Sequence, residues 1–270
     1  MSVKTMAEVV SRILSECTES VSREFFPAVR PIYRSTKNGQ PEHIATCTLL
    51  EIGQGKYLIT AAHVVDENEH ASLYVGGASE LVEINGSFWT TQKPDNDRQK
   101  DAYDFAVCKI PLKMISELGD VQYIKETWLA DDRTIAAGRS YLALGYPCSK
   151  NRKLDARAHS VKPTTWKYTS IVKKDHELAE VLGVSGNEHF FLTYDRKHSK
   201  DAEGRIVNPV DAHGLSGGPL IDMGHVAANL DPQKKREGRL AGLLIECRPI
   251  HKAIVSVKVG LVLRTVGVRA

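Results

Sequence analysis

The chain has 270 residues, 42% hydrophobic and 26% charged, with 36 lysines and arginines against 33 aspartates and glutamates. That mixture excludes a disordered, collagen-like or membrane-embedded chain, and its length lets it bury a core without covalent staples. A net charge of +3 is too small to mark a nucleic-acid footprint, which needs basic residues clustered on one face.

Residues 5–22 set Met6, Val9, Val10, Ile13 and Leu14 at helical spacing, with Glu8, Arg12, Glu16 and Glu19 largely elsewhere. The pattern predicts an amphipathic helix that docks on the body of the protein; a regulatory protein partner or a membrane surface on the same face is the alternative. Charges interrupt the apolar residues every few positions, so neither a signal-peptide core nor a membrane span is expected. Five widely spaced cysteines (Cys17, Cys47, Cys108, Cys148, Cys247) form no Cys-x-x-Cys pair and read as free thiols of a cytoplasmic protein.

After a turn at residues 34–39 the chain becomes a series of short runs rich in Thr, Leu, Ile, Val and Tyr. They span 44–52, 56–60, 72–75, 81–84, 105–110, 141–144, 190–194, 240–246 and 253–257, separated by turn residues such as Gly53-Gln54-Gly55 and Asn85-Gly86. This spacing predicts an all-β antiparallel barrel or sandwich. Residues 94–101, 195–205 and 231–238 read as charged loops, and Lys234-Lys235-Arg236 as a solvated tip. Residues 259–268 predict a short closing helix or strand. His189 and His198, near Asp195 and Asp201, match no familiar ligand spacing, so no metal site is expected.

Three motifs carry chemistry. In Leu58-Ile59-Thr60-Ala61-Ala62-His63-Val64-Val65 a strand runs through small residues and delivers an imidazole, the natural general base near neutral pH. In Tyr103-Asp104-Phe105-Ala106-Val107 a carboxylate stands at the mouth of an apolar strand, where an imidazole N–H could satisfy it. Asp101 competes for that role, and Asp104 is preferred because it adjoins the strand. In His213-Gly214-Leu215-Ser216-Gly217-Gly218-Pro219-Leu220, glycines flank a serine and let two N–H groups converge beside it.

His63, Asp104 and Ser216, in that order and within those motifs, resemble the trypsin/chymotrypsin-like serine proteases over about residues 42–258. The nearest likeness is to bacterial trypsin-like and HtrA-type peptidase domains, without a PDZ domain. The resemblance implies two six-stranded antiparallel β-barrels: a helical extension at 1–40, barrel one at about 41–120, barrel two at about 135–258 and a tail at 259–270. It implies a catalytic triad of His63, Asp104 and Ser216, an oxyanion hole of the Gly214 and Ser216 N–H groups, and no metal or organic cofactor. The substrate would be a protein or peptide.

The chain also departs from secreted members of that family. Val64 stands where a disulfide cysteine follows the histidine, and Leu215 where an aspartate pairs with a newly cut N-terminus, so regulation by a partner or by loop ordering is expected in place of zymogen cleavage. Val210, Asp211 and Ala212 fall at one wall of the specificity pocket and Ile245, Glu246 and Cys247 at another, with His213 at the rim. Asp211 or Glu246 would favour a basic side chain; Val210 at the base favours a small or apolar one. Two other functions stay open: a non-catalytic barrel that binds proteins, and a partner-activated effector of a bacterial stress or defence system.

Overall fold

The computed structural model describes residues 5–131, 133–134, 136–151, 163–195, 210–225, 237–265 and 267. The tip Lys234–Arg236 and His198 lie outside them. The first helix, α1 (Met6–Phe25), opens with a reciprocal cap in which Thr5 Oγ accepts from the Glu8 N–H and Glu8 accepts from the Thr5 N–H. Its second half packs on the body: Cys17, Val21 and Phe25 are fully or almost fully buried. Each of the two larger side chains contributes roughly 2 kcal/mol through that burial. Gly238 lies directly under the helix, and a Cβ there would come within 2.7 Å of both Phe25 and Val21.

The first sheet runs β1 (Val29–Ser35), β2 (Pro41–Ile52), β3 (Gly55–Ala61), β4 (Leu73–Gly76), β5 (Leu81–Glu83), β6 (Phe88–Thr90), β7 (Phe105–Lys109) and β8 (Ile124–Lys125). Its order is β5-β4-β1-β2-β3-β7-β6, with β8 parallel to β2 at Leu50 and Ile124. It curls around Ile32, Leu49, Leu58, Leu73, Val75 and Met114, but among the described residues no ladder joins β5 to β6, so it is an open half-barrel.

The sheet begins earlier than residue 41. β1, within the stretch expected to be a helical extension, pairs with both β2 and β4. Pro31 and the turn residues after Arg34 hide its strand character, and the ladder is irregular between Ile32 and Tyr33.

The second sheet closes fully, in the order β10-β11-β14-β13-β12-β9. Its strands are β9 (Arg139–Gly145), β10 (Trp166–Lys173), β11 (His189–Thr193), β12 (Pro219–His225), β13 (Arg239–Arg248) and β14 (Ala253–Lys258). The residues after β14 form a helix, Val259–Arg264, that buries Val259, Val262 and Leu263. One apolar cluster joins α1 to both sheets, bringing Phe25 together with Val107 of β7 and Leu142, Ile221 and Leu243 of barrel two. Among the described residues no helix is long and apolar enough to cross a membrane.

Candidate active site

The pairing of β3 with β7 builds the first half of the site. Ala61 is opposite Phe105, so the residues following one and preceding the other are neighbours. Past Ala61 the chain turns into the short helix α2 (Ala62–Asp66), whose first N–H groups need acceptors and whose N-cap residue, Ala61, supplies none. Asp104 supplies them: its carbonyl accepts from Ala62 N at 3.0 Å, and its Oδ1 accepts from His63 N at 2.8 Å. Its Oδ2 lies 2.6 Å from His63 Nδ1. To aim the carbonyl and the carboxylate at one helix end, Asp104 adopts φ +41°, a left-handed backbone that aspartate tolerates better than most residues.

Packing around the His63 ring opposes its protonation, but the Asp104 hydrogen bond and charge, with a smaller contribution from Asp66, outweigh it and raise the pKa above the ordinary 6.5. The side chain is still 43% exposed, while that of Asp104 is 12% exposed.

Asp101, the competing carboxylate, is engaged elsewhere. It accepts from Arg98 at 2.6 Å and from the Thr91 hydroxyl, and Arg98 in turn holds Asp66 at 2.8 Å. This ionic chain ties the loop before Asp104 to the end of α2. From the other side, His189 Nε2 lies 2.9 Å from the Ala102 carbonyl, and the Tyr103 hydroxyl donates to Glu188 at 2.7 Å. Histidine 189 thus braces barrel two against the Asp104 loop. Among the described residues no three His, Cys, Asp or Glu side chains are grouped to hold a metal ion.

The second half of the site is the turn before β12. Gly214 (φ +93°) and Gly217 (φ +88°) flank Leu215 and Ser216 in conformations that side chains rarely adopt. Gly217 N donates to Leu244 O at 2.7 Å, and Leu244 N to Gly218 O at 2.8 Å, which fixes the turn on β13. Leu215 N donates to Ala212 O, yet among the described residues no acceptor is found for the N–H of Gly214 or Ser216. The Ser216 hydroxyl donates to Ile245 O at 3.2 Å, and no hydrogen bond joins it to His63.

His63, Asp104 and Ser216 share one cleft of about 750 Å³. Asp211, His213, Ile245 and Glu246 also line it. Val210 does not: its carbonyl accepts from the Tyr194 hydroxyl and its side chain packs into the barrel-two core, because the loop turns there. The apolar part of the lining includes Ala212 and Ile245 together with Val181, Leu182, Pro249, Val255 and Tyr194, residues that the sequence reading missed apart from the first two. Val255 reaches the cleft because the β13–β14 register shifts between Leu244 and Glu246, an irregularity with no local sequence signal.

Neither of the two carboxylates expected at the specificity pocket stands alone. Burial pushes the Glu246 pKa up, while Arg248, 2.8 Å away, pulls it down; Asp211 accepts from His213 N at 3.2 Å. A search among curated proteins finds no relative. The trypsin family model matches residues 18–243, which hold the first sheet, the second sheet as far as Leu243 and all three motifs, and the chain belongs to the trypsin/chymotrypsin-like serine protease family.

Proposed function

We propose that the protein is a serine endopeptidase acting through an acyl-enzyme. His63 Nε2 takes the proton of the Ser216 hydroxyl as Oγ bonds to a peptide carbonyl carbon. The carbonyl oxygen becomes an oxyanion, received by the N–H groups of Gly214 and Ser216. His63 then returns the proton to the leaving amine, and a water repeats the sequence on the acyl-enzyme. Asp104 holds the imidazole in the tautomer with Nδ1–H and stabilises its protonated form.

One observation carries this reading: a single carboxylate grips both the backbone and the ring of His63 at the edge of the cleft that holds Ser216. The chemistry requires no metal or organic cofactor. Before reaction the Ser216 hydroxyl turns from Ile245 O towards His63, a rotation about one bond.

Glu246 and Asp211 already have partners, and Ala212, Val255 and Tyr194 line the cleft, so a small or apolar side chain is the expected preference at the cut. Five free cysteines, four of them buried, support a reducing, cytoplasmic setting. Regulation by a protein partner belongs to the same proposal. The apolar surface of α1 available for it lies in the first half, where Met6 is 77% exposed, since the apolar side chains of the second half, Cys17, Val21 and Phe25, are buried.

A non-catalytic protein-binding barrel is the second reading, favoured by the engagement of Ser216 with Ile245. A fluorophosphonate probe decides between them: labelling at Ser216, with peptide hydrolysis lowered about 10⁶-fold in Ser216→Ala, is the expected outcome. An unlabelled folded protein, or hydrolysis undiminished in the variant, defeats the peptidase reading.

A further inference from the structure

We infer that Thr46, a barrel-one residue outside the three motifs, is a positioning residue that locks the oxyanion-binding turn of barrel two. The inference rests on the peptidase reading above. Thr46 is completely buried. Its hydroxyl donates to Gly214 O at 2.7 Å and accepts from Tyr146 N at 3.0 Å, so the single hydroxyl proton is directed at the turn. Its N–H donates to Ser216 O at 3.0 Å, and its carbonyl accepts from the Thr60 hydroxyl at 2.8 Å. One residue therefore holds the carbonyls of both residues whose N–H groups are left without acceptors.

Peptide planarity makes this grip directional. The His213 carbonyl accepts from Cys148 N at 2.8 Å, which sends the Gly214 N–H of the same peptide to the opposite side. The following peptide is fixed by Thr46 through the Gly214 carbonyl. Gly214 thus sits between two clamped peptides, and without the second clamp a glycine at φ +93° is free to rotate. The residue before the serine adds no ionic tether, because Leu215 is an apolar, buried side chain. The hydroxyl of Thr46 takes the place of such a tether from the opposite barrel.

The test compares Thr46→Val with Thr46→Ser in the full chain. Valine keeps the volume and removes the hydroxyl; serine keeps it. For Thr46→Val a fall in kcat of about 10²-fold is expected, the lower end of what losing one oxyanion donor costs, with KM little changed. The pH dependence should stay where it is, because His63 and Asp104 are untouched. Serine should restore kcat to within about threefold. If Thr46→Val does not fold, Thr46→Cys, whose thiol is a weak donor, replaces it and should give an intermediate fall. A readout independent of turnover is hydrogen exchange at the Cys148 amide, whose acceptor belongs to the turn: it should quicken at least tenfold in the valine variant. Failure of the peptidase reading is seen separately, as loss of Ser216 labelling in the unsubstituted chain. Unchanged exchange, or valine and serine variants of equal kcat in a labelled enzyme, overturns the role of Thr46.

Discussion

The two barrels differ in where the main hold on their parts of the site comes from. In the open first sheet, His63 and Asp104 are fixed by their own neighbourhood: adjacent strand ends in register, a helix N-terminus and two hydrogen bonds at 2.8 and 2.6 Å. In the closed second barrel, Ser216 rides on a glycine turn whose carbonyls are held from across the interface by Thr46 and by the Thr48 hydroxyl, which donates to Gly217 O at 3.0 Å. Closure of a barrel therefore does not by itself rigidify the turn it carries. The half with the more complete sheet relies on the other half for part of the hold on Ser216.

The largest test of the contrast strikes the half in which His63 and Asp104 hold each other directly. Asp104→Asn should lower kcat by about 10⁴-fold while leaving fluorophosphonate-accessible Ser216 in place, because the amide cannot favour the required tautomer. In the unsubstituted enzyme, activity should rise with pH through a pKa above 6.5, since His63 acts as a base only when neutral and its pKa is raised. Loss of Asp104 should move that rise to lower pH. A rise that stays put in Asp104→Asn would detach His63 from the acid limb.

Next comes the interface. Gly217→Ala adds a Cβ that collides with the Thr46 carbonyl and the Thr60 hydroxyl at a φ of +88°. Destabilisation of about 4 kcal/mol is expected from urea unfolding. A value below about 1 kcal/mol would show that the barrels separate easily there, and the contrast between them would fail.

The smallest effect belongs to the wall behind the turn. His43 is buried, among the described residues its Nε2 has no hydrogen-bond partner, and burial lowers its pKa from 6.5 to about 4. The folded state thus refuses a proton that the unfolded chain accepts. Stability should fall as pH drops from about 6.5 towards 4, by on the order of 3 kcal/mol from this residue, and buried His189 adds to the fall in the same direction. His43→Phe should flatten that part of the urea-midpoint profile between pH 7 and 4.5; an identical slope would remove His43 as its source.

What the sequence disclosed follows from the range of the interactions. His63, Asp104 and Ser216 were legible because each motif is local: small residues before the histidine, a carboxylate adjoining a strand and glycines around the serine. The N-terminal helix follows from its apolar spacing in the same way, whereas run lengths left a barrel and a sandwich open, and left residues 259–268 open between the helix found at Val259–Arg264 and a strand. Thr46 looked like any strand threonine, because its partners lie about 100 and 168 residues away and depend on how two sheets meet. The brace from Arg98 to Asp66 and Asp101, and the arrival of Val255 in the cleft through a shifted register, were hidden for the same reason. Val210 was misplaced because counting back from Ser216 assumes a straight loop, and this one turns its carbonyl to Tyr194.

The packing of α1 has a consequence in time. The helix leaves the ribosome before most of the chain, yet Thr18 hydrogen-bonds Thr169, 151 residues later, and the glycine under Phe25 is residue 238. At synthesis rates of about 5–20 residues per second, its apolar face waits roughly 10–40 s for the surface that covers it. Until then Val21 and Phe25 lack part of their final cover, so a helix made before both sheets is completed only after them.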